Sequence, residues 1–167
     1  MPTITPFLWF DTQAEEAAEF YTSVFRNSRV LEVSRYGEAG PMPAGTAMTV
    51  RFELDGQEFL ALNGGPAHFA FNESVSFVVS CSSQDEVDHF WGRLTDGGEE
   101  VACGWLRDRY GLRWQVVPDR LPELLSDPDP GRRERAMQAM LQMKKLDIAA
   151  LEEASAGRGA ASRPISG

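Results

Sequence analysis

Two stretches of the sequence decide the fold: residues 12–24, TQAEEAAEFYTSV, and residues 82–94, SSQDEVDHFWGRL. Each begins with a hydroxyl residue that can cap a helix and continues with acidic residues suited to a first helical turn. A shift of 70 positions superimposes apolar residues on apolar residues, with Phe20 on Phe90, Tyr21 on Trp91 and Val24 on Leu94. A cap, an acid and paired aromatics that recur in register indicate two copies of one module built on an amphipathic helix.

Short apolar runs around each helix predict β-strands. Residues 46–54 alternate between polar and apolar side chains, and Asp55-Gly56 predicts a tight hairpin turn into the strand from Phe59 to Leu62. Thr12 and Glu15 are predicted to form a capping box at the start of a helix over residues 13–25. The other predicted strands lie at residues 4–10, 30–36, 75–79, 101–106 and 113–117.

This order of elements predicts an α+β fold in which two βαβββ modules form a curved mixed-sheet cup, followed by a C-terminal helix. A single domain spans residues 1–154: module one at 3–63, a junction at 64–73, module two at 74–118 and a C-terminal helical segment at 119–154. Asp129 is predicted to cap the last helix, which carries a methionine-rich stripe and runs to about Lys145. Residues 155–167 have a disordered composition.

Composition and charge exclude several classes of partner. The net charge of −9 argues against nucleic acid and anionic membranes, because both require clustered lysine and arginine. Neither a membrane span nor a signal peptide is predicted, so we expect a cytoplasmic protein. Cys81 and Cys103 lie within apolar runs and are expected to be reduced, buried thiols.

Several phrases identify a family resemblance. The chain resembles the PhnB-like branch of the glyoxalase, bleomycin-resistance and extradiol-dioxygenase (vicinal oxygen chelate) superfamily, a branch whose members often carry the label 3-demethylubiquinone-9 3-methyltransferase. The phrases that carry this resemblance are FLWF at 7–10, EAAEFY at 16–21, NGGP at 63–66, CGWL at 103–106, DRYGLRWQVVP at 108–118 and SDPDP at 126–130. The resemblance covers residues 3–154 and implies the doubled βαβββ fold. It does not by itself assign an activity.

The positions where metal-dependent relatives carry ligands predict no metal here. Such relatives place His, Gln or Glu on the first and last strand of each module. The first and fourth strands of this chain offer apolar side chains at these positions, and the fifth offers only serines. The eighth strand carries Gln115, and a single neutral amide cannot hold a divalent ion. We therefore expect neither a bound metal nor another cofactor.

The resemblance also implies a cup lined by the first, fourth, fifth and eighth strands. The predicted ligand-pocket residues are Trp9, Leu60, Leu62, Asn63, Phe77, Trp105, Trp114 and Gln115. An aromatic wall with a few amides is typical of a small-molecule pocket, and large side chains that only fill the core are the alternative. His68, in the junction, is the one candidate for a catalytic base.

Three functions remain open from the sequence. The first is a protein that binds a small aromatic or apolar molecule without a metal. The second is an enzyme of the glyoxalase or dioxygenase type with an atypical site. The third is a methyltransferase, although no glycine-rich methyl-donor turn follows a first parallel strand. Open sheet edges predict a two-fold homodimer, either swapped or unswapped, because the long junction permits both arrangements.

Overall fold

A computed structural model describes residues 2–157, which divide into two compact units between Ala70 and Phe71. The first unit contains one helix and four strands, namely β1 (Phe7–Phe10), α1 (Ala14–Val24), β2 (Arg29–Arg35), β3 (Ala47–Leu54) and β4 (Gln57–Asn63). Its sheet has the order β1-β4-β3-β2, in which β1 and β4 are parallel and the other pairs are antiparallel.

The second unit repeats this arrangement and adds three helices. Its elements are β5 (Ser76–Cys81), α2 (Gln84–Thr95), β6 (Glu99–Glu100), β7 (Trp105–Arg107), β8 (Arg113–Pro118), α3 (Arg120–Leu125), α4 (Pro130–Leu141) and α5 (Ile148–Ser155). The sheet order β5-β8-β7-β6 reproduces that of the first unit, with β5 and β8 parallel. The predicted α+β fold with two βαβββ modules is confirmed. Within the described residues, the C-terminal segment holds three helices where one was predicted.

In each unit one face of the sheet is buried beneath a helix. Tyr21 of α1 stacks on Phe52 at a centroid distance of 6.2 Å, and Phe52 stacks on Phe59 at 5.4 Å. In the second unit Val87, Trp91 and Leu94 of α2 are buried on the corresponding side of the sheet. The opposite face of each sheet is therefore the one that carries partly exposed side chains, which is where a ligand has access.

Local signals fixed some element boundaries correctly. Asp55 and Gly56 both adopt positive φ, at 46° and 86°, so they form the predicted hairpin turn between β3 and β4. The cap predicted at the start of the second stretch is supplied by Ser83, the second of its two serines, whose side chain accepts a hydrogen bond from the Glu86 amide. Asp129 caps α4, and Pro130 lies at its start. These features are confirmed because each depends only on residues close in the chain.

Two local predictions are wrong. Thr12 does not cap α1; the N-cap residue is Gln13, and the side-chain oxygen that receives the Ala14 amide belongs to Asn63, at 2.8 Å. Residues 101–106 do not form one strand, because Cys103 and Gly104 adopt left-handed φ values of 60° and 83°. This turn separates β6 from β7 and sets the start of β7 at Trp105.

No helix among residues 2–157 combines the length and apolar character needed to cross a bilayer. Helix α5 ends at Ser155, which is buried, and the part of the predicted disordered tail from 158 to 167 lies outside the described residues.

Candidate functional site

The face of the first sheet opposite α1 presents a cluster of apolar side chains. We call Phe7, Trp9, Leu60 and Leu62 the first open face. The parallel register pairs Phe7 with Leu60 and Trp9 with Leu62, so these four side chains share one side of the sheet. Phe7 and Trp9 are 53% and 38% exposed, which shows that the cluster is accessible and is not a filled core. Two predicted strands thus bring three of the predicted pocket residues together.

Trp9 is held in place by the loop that follows β4. Its indole Nε1 donates a hydrogen bond to the Gly65 carbonyl at 3.0 Å, and the Phe69 ring meets it edge-on at 5.4 Å. The ring also lies directly on Gly64, where an added Cβ would come within 2.2 Å of the indole. Glycine at position 64 is therefore required by the position of Trp9, which accounts for the glycine pair in the NGGP phrase.

A polar border runs beside the first open face. Arg51, which pairs with Leu60 across β3 and β4, forms ion pairs with Glu58 at 3.3 Å and with Glu32 at 3.5 Å. Ser34 and Thr49 share a hydrogen bond on the same side of the sheet. Because two carboxylates surround one guanidinium, this border favours a neutral or cationic group over an anion.

Asn63 lies on the other side of the sheet, where it has a structural role. The side chain is 5% exposed, its Oδ1 accepts from the Ala14 amide at 2.8 Å, and its Nδ2 donates to the Ala47 carbonyl at 3.1 Å. Asn63 therefore caps α1 and links it to β3. The alternation along β4, which puts Asn63 on the opposite side from Leu62, was the signal for this in the sequence.

The second sheet has a corresponding open face. We call Ser76, Val78, Trp105 and Gln115 the second open face, because Val78 and Trp105 both pair with Gln115 in the strand register. The Gln115 amide donates to the Ser76 hydroxyl at 2.9 Å, and Val78 is 56% exposed. This face combines an indole and an aliphatic side chain with one amide and one hydroxyl.

Phe77 and Trp114 face the helix side of the second sheet. Their rings pack at 5.6 Å, and the Trp114 Nε1 donates to Asp108 Oδ2 at 2.8 Å. Trp114 is only 3% exposed, as a core residue would be. Since Trp114 and Gln115 are adjacent in β8, they point to opposite sides of the sheet, and only Gln115 lies on the second open face.

His68 is exposed in the loop after β4, one residue before the Phe69 that contacts Trp9. It is therefore close in sequence to the first open face, but its imidazole is not buried in a site. The structure brings Trp9, Leu60 and Leu62 together on one face and Trp105 and Gln115 on another, and it leaves His68 at the surface.

The residues at the positions of metal ligands in related folds do not fit a divalent ion. On β1 and β4 the open side carries Phe7, Trp9, Leu60 and Leu62, none of which has an atom that can coordinate a metal ion. The Trp9 indole nitrogen is a hydrogen-bond donor only, and it donates to the Gly65 carbonyl. On β5 and β8 the donors are serine hydroxyls and the Gln115 amide, beside the Arg113 guanidinium. Among residues 2–157, no group of three or more His, Cys, Asp or Glu side chains is placed to hold a metal.

Cys81 does not offer an activated nucleophile to either open face. Cys81 is fully buried at the end of β5, and burial, with the nearby carboxylates of Glu86 and Asp119, raises the pKa of its thiol to about 12. A thiol of this kind stays protonated at neutral pH and is inert. Cys103 is partly exposed in the left-handed turn before β7.

Comparison with known proteins gives one family match and several similar structures. A family described as 3-demethylubiquinone-9 3-methyltransferase matches residues 2–117. A PhnB protein from Bacillus cereus, to which the same methyltransferase name is provisionally attached, is 36% identical, with 70% of this chain and 99% of that chain covered and a TM-score of 0.66. No curated protein matches the chain.

Two more distant structures share the fold. A protein from Pseudomonas aeruginosa is 20% identical, with 71% of this chain and 98% of that chain covered and a TM-score of 0.60. The fosfomycin resistance protein FosX from Mesorhizobium loti is 11% identical, with 75% of this chain and 98% of that chain covered and a TM-score of 0.53. The architecture is thus that of the glyoxalase-like fold, and the matched length ends near the close of β8.

Proposed function

We propose a function from the premise that this chain belongs to the 3-demethylubiquinone-9 3-methyltransferase family, the PhnB-like branch of the glyoxalase superfamily. In this proposal the protein binds a small, neutral, aromatic or apolar molecule through its open sheet faces, without a bound metal. The observation that carries the proposal is the exposed cluster of Phe7, Trp9, Leu60 and Leu62, with its indole fixed by the following loop.

A fixed indole favours binding because little side-chain entropy is lost when a ligand ring stacks on it. The hydrogen bond from Trp9 to Gly65 and the ring contact with Phe69 already hold the indole in one orientation. Leu60 and Leu62 supply apolar area beside it, and the carboxylates around Arg51 disfavour an anionic ligand. On the second open face, Gln115 and Ser76 supply hydrogen-bonding groups for a carbonyl or hydroxyl.

The first experiment measures binding of 2-naphthol, a neutral aromatic probe, by isothermal titration calorimetry with the full-length protein. We expect Leu60→Ala to weaken binding about five- to tenfold, because it removes apolar contact area on the first open face. Leu141→Ala, at a site on α4 that is 56% exposed, is the matched control and should leave the affinity unchanged. Equal affinities for the wild type and Leu60→Ala would contradict binding at this face.

The second experiment tests the metal-free part of the proposal. Thermal unfolding is followed with Zn²⁺, Ni²⁺, Mn²⁺ and Fe²⁺, together with elemental analysis of the purified protein. We expect that none of these ions raises the melting temperature. The first open face offers apolar side chains and the second offers a single amide, so neither supplies enough ligands for a divalent ion. One ion bound per chain, with a raised melting temperature, would refute this part.

Methyl transfer, which the family's name suggests, is the alternative that we do not adopt. The first unit contains one glycine pair that could resemble a glycine-rich turn, Gly64-Gly65. Both glycines contact the Trp9 indole, so this pair has a structural role. A calorimetric titration with S-adenosylmethionine distinguishes the two proposals. Saturable binding at one site per chain would favour methyl transfer over the proposal made above.

A catalytic role for His68 is a further alternative within the same family. If His68 acts as a base, His68→Ala should abolish turnover of a substrate while its binding stays measurable. If the protein only binds, the variant should have unchanged 2-naphthol affinity and no activity to lose. The exposed position of His68 supports the second outcome.

The proposal includes a two-fold homodimer in the cytoplasm, where Cys81 and Cys103 would stay reduced. Support for the dimer comes from the strand order, in which β1 and β2 are the edge strands of the first sheet, the positions at which a second chain can extend a sheet. Sedimentation velocity should give a dimer at micromolar concentration. A monomer at all concentrations tested would contradict this part alone.

A further inference from the structure

The helices after β8 lie beyond the residues that the family model matches, and we call them the addition. The family match ends at residue 117, and 99% of the Bacillus cereus chain is covered by 70% of this one. Helices α3, α4 and α5 follow this end and form their own apolar cluster, centred on Leu121, Leu124, Ala136, Leu146 and Leu151. What this addition does for the second unit is not explained by the shared fold.

A short segment between α4 and α5 attaches the addition to the rest of the second unit through backbone hydrogen bonds. We call residues 143–148, which lead from the end of α4 to the first residue of α5, the strap. The Cys103 amide donates to the Met143 carbonyl and the Gly104 amide to the Lys144 carbonyl, both at 2.8 Å. These two main-chain hydrogen bonds attach the strap to the turn at Cys103 and Gly104.

The start of α2 holds the other end of the strap. The Gln84 amide donates to the Leu146 carbonyl at 3.1 Å, and its Oε1 accepts from the Ile148 amide at 2.8 Å. One side chain therefore satisfies both a carbonyl and an N–H of the strap. Lys145 adds an ion pair with Asp88 at 2.9 Å. Together with the two backbone hydrogen bonds to Cys103 and Gly104, these contacts involve five residues of the strap.

The strap contacts the turn that leads into the second open face. Leu146 is fully buried, and its side chain lies so close to Gly104 that an added Cβ there would be 2.9 Å from Leu146 Cδ1. Cys103 and Gly104 both have positive φ, a conformation that persists in a residue with a side chain only where the surroundings hold it. Trp105 follows immediately and pairs with Gln115.

From these contacts we infer that the strap positions Trp105: by holding Cys103 and Gly104 in the left-handed turn, it fixes the indole on the second open face. Gln84 and Leu146 are then positioning residues, since they touch the turn or the strap and lie away from that face. The use of Trp105 in ligand binding rests on the proposed function. Its position does not, and it can be measured without any ligand.

The test uses the full-length protein with 5-fluorotryptophan in place of its four tryptophans. Trp105→Phe assigns the Trp105 fluorine resonance. Gln84→Ala removes the clamp on Leu146 and Ile148, and Gln138→Ala, at an exposed site on α4, is the matched control. Amide hydrogen exchange and fluorine spectra are recorded for each variant.

In Gln84→Ala, exchange at the Cys103 and Gly104 amides should be about five- to tenfold faster, and the Trp105 resonance should shift or broaden while that of Trp9 is unchanged. Gln138→Ala should match the wild type in both measurements. Leu146→Ala should act like Gln84→Ala, with Leu146→Met retaining the wild-type spectrum. If Leu146→Ala does not fold, Gln84→Ala alone decides the test.

Two results would overturn the inference. One is unchanged exchange at Cys103 and Gly104 in Gln84→Ala, which would mean that the strap is not held by this clamp. The other is faster exchange with an unmoved Trp105 resonance, which would mean that the strap holds the addition in place without positioning the indole. Since neither readout uses a ligand, failure of 2-naphthol to bind would refute the proposed function and leave this inference standing.

Discussion

At the scale of single residues, alternation along a strand separates binding candidates from structural residues. Leu62 and Asn63 are adjacent in β4, yet Leu62 lies on the first open face, while Asn63 is buried on the side of α1. The same holds for Gln115 and Trp114 in β8. The family resemblance predicted all four as pocket residues, whereas the side of the sheet on which each lies assigns them different roles.

Asn63 provides the first prediction. Asn63→Ala should lower the free energy of unfolding by about 2 to 3 kcal/mol, because it leaves the buried Ala14 amide and Ala47 carbonyl without their partner. Urea denaturation followed by circular dichroism measures this. Asn72→Ala, whose side chain makes only local exposed hydrogen bonds, should cost less than about 1 kcal/mol. Equal losses for the two variants would contradict a capping role for Asn63.

Cys81 provides a prediction about reactivity and pH. Its folded-state pKa is raised to about 12 from an ordinary value of 9.0. Above pH ~9 this thiol is ionised in the unfolded state and still protonated in the folded state. The stability that the protonated thiol contributes is therefore lost as the pH rises from about 9 toward the folded-state pKa. At pH 8, iodoacetamide should modify Cys81 only after unfolding.

Mass spectrometry of peptides identifies the modified thiol. Modification of Cys81 in the folded protein as fast as in urea would contradict its burial, and Cys81→Ser serves as the control for any signal from Cys103.

At the scale of elements, the loop between β7 and β8 shows how one buried carboxylate organises a turn. Asp108 is fully buried; its Oδ1 accepts from the Tyr110 amide at 2.9 Å and the Leu112 amide at 3.0 Å, and its Oδ2 accepts from Trp114. One buried carboxylate thus receives two backbone amides and one indole N–H, which tie the two ends of the loop together. This explains the DRYGLRW phrase as a folding feature rather than a catalytic one.

The prediction for this element is a large loss of stability in Asp108→Ala. We expect about 3 kcal/mol or more, because three N–H groups in a buried loop lose their acceptor together. Asp96→Ala, which removes only an exposed ion pair with Arg109, should cost less than about 1 kcal/mol. Thermal and urea unfolding of both variants provide the comparison. Similar losses would mean that Asp108 does not organise the loop.

At the scale of the whole molecule, ion pairs between residues distant in sequence make the stability of the fold depend on pH in the acid range. A hydrogen bond from Arg113 lowers the pKa of Glu73, at the start of the second unit, and a hydrogen bond from Lys145 lowers that of Asp88. A lowered folded-state pKa adds stability above the ordinary values of 4.5 and 3.8, and this addition is lost as the pH falls through the lowered values.

The double variant Glu73→Gln/Asp88→Asn should therefore show a shallower fall in melting temperature below pH ~4.5 than the wild type. The two curves should converge at the acid end, where both carboxylates of the wild type are protonated. Glu153→Gln, on the exposed side of α5, is the control and should follow the wild-type curve. Parallel curves for the double variant and the wild type would contradict the linkage.

Much of the architecture could be predicted because its signals are local or periodic. The 70-residue offset is a periodic signal, whereas the Asp55-Gly56 turn and the serine cap of α2 depend on neighbouring residues, and each is present in the structure. Local conformational preferences act over a few residues, so a turn or a cap that they favour forms in the folded protein without the help of distant residues. By itself, the sequence determined two βαβββ modules, their order and the family to which they belong.

Tertiary structure decided the residue roles that depend on distant partners. The cap of α1 comes from Asn63, which is 49 positions away from Ala14. No local sequence pattern could therefore have shown that Asn63, and not Thr12, caps this helix. The left-handed turn at Cys103 and Gly104 is held by the strap, which a strand pattern over residues 101–106 does not reveal. Which side of each sheet stays open depends on where its helix packs, and burial on that side separates Trp9 and Gln115 from Trp114. The physical reason is that hydrogen bonding and burial depend on proximity in space, whereas sequence patterns report only proximity along the chain.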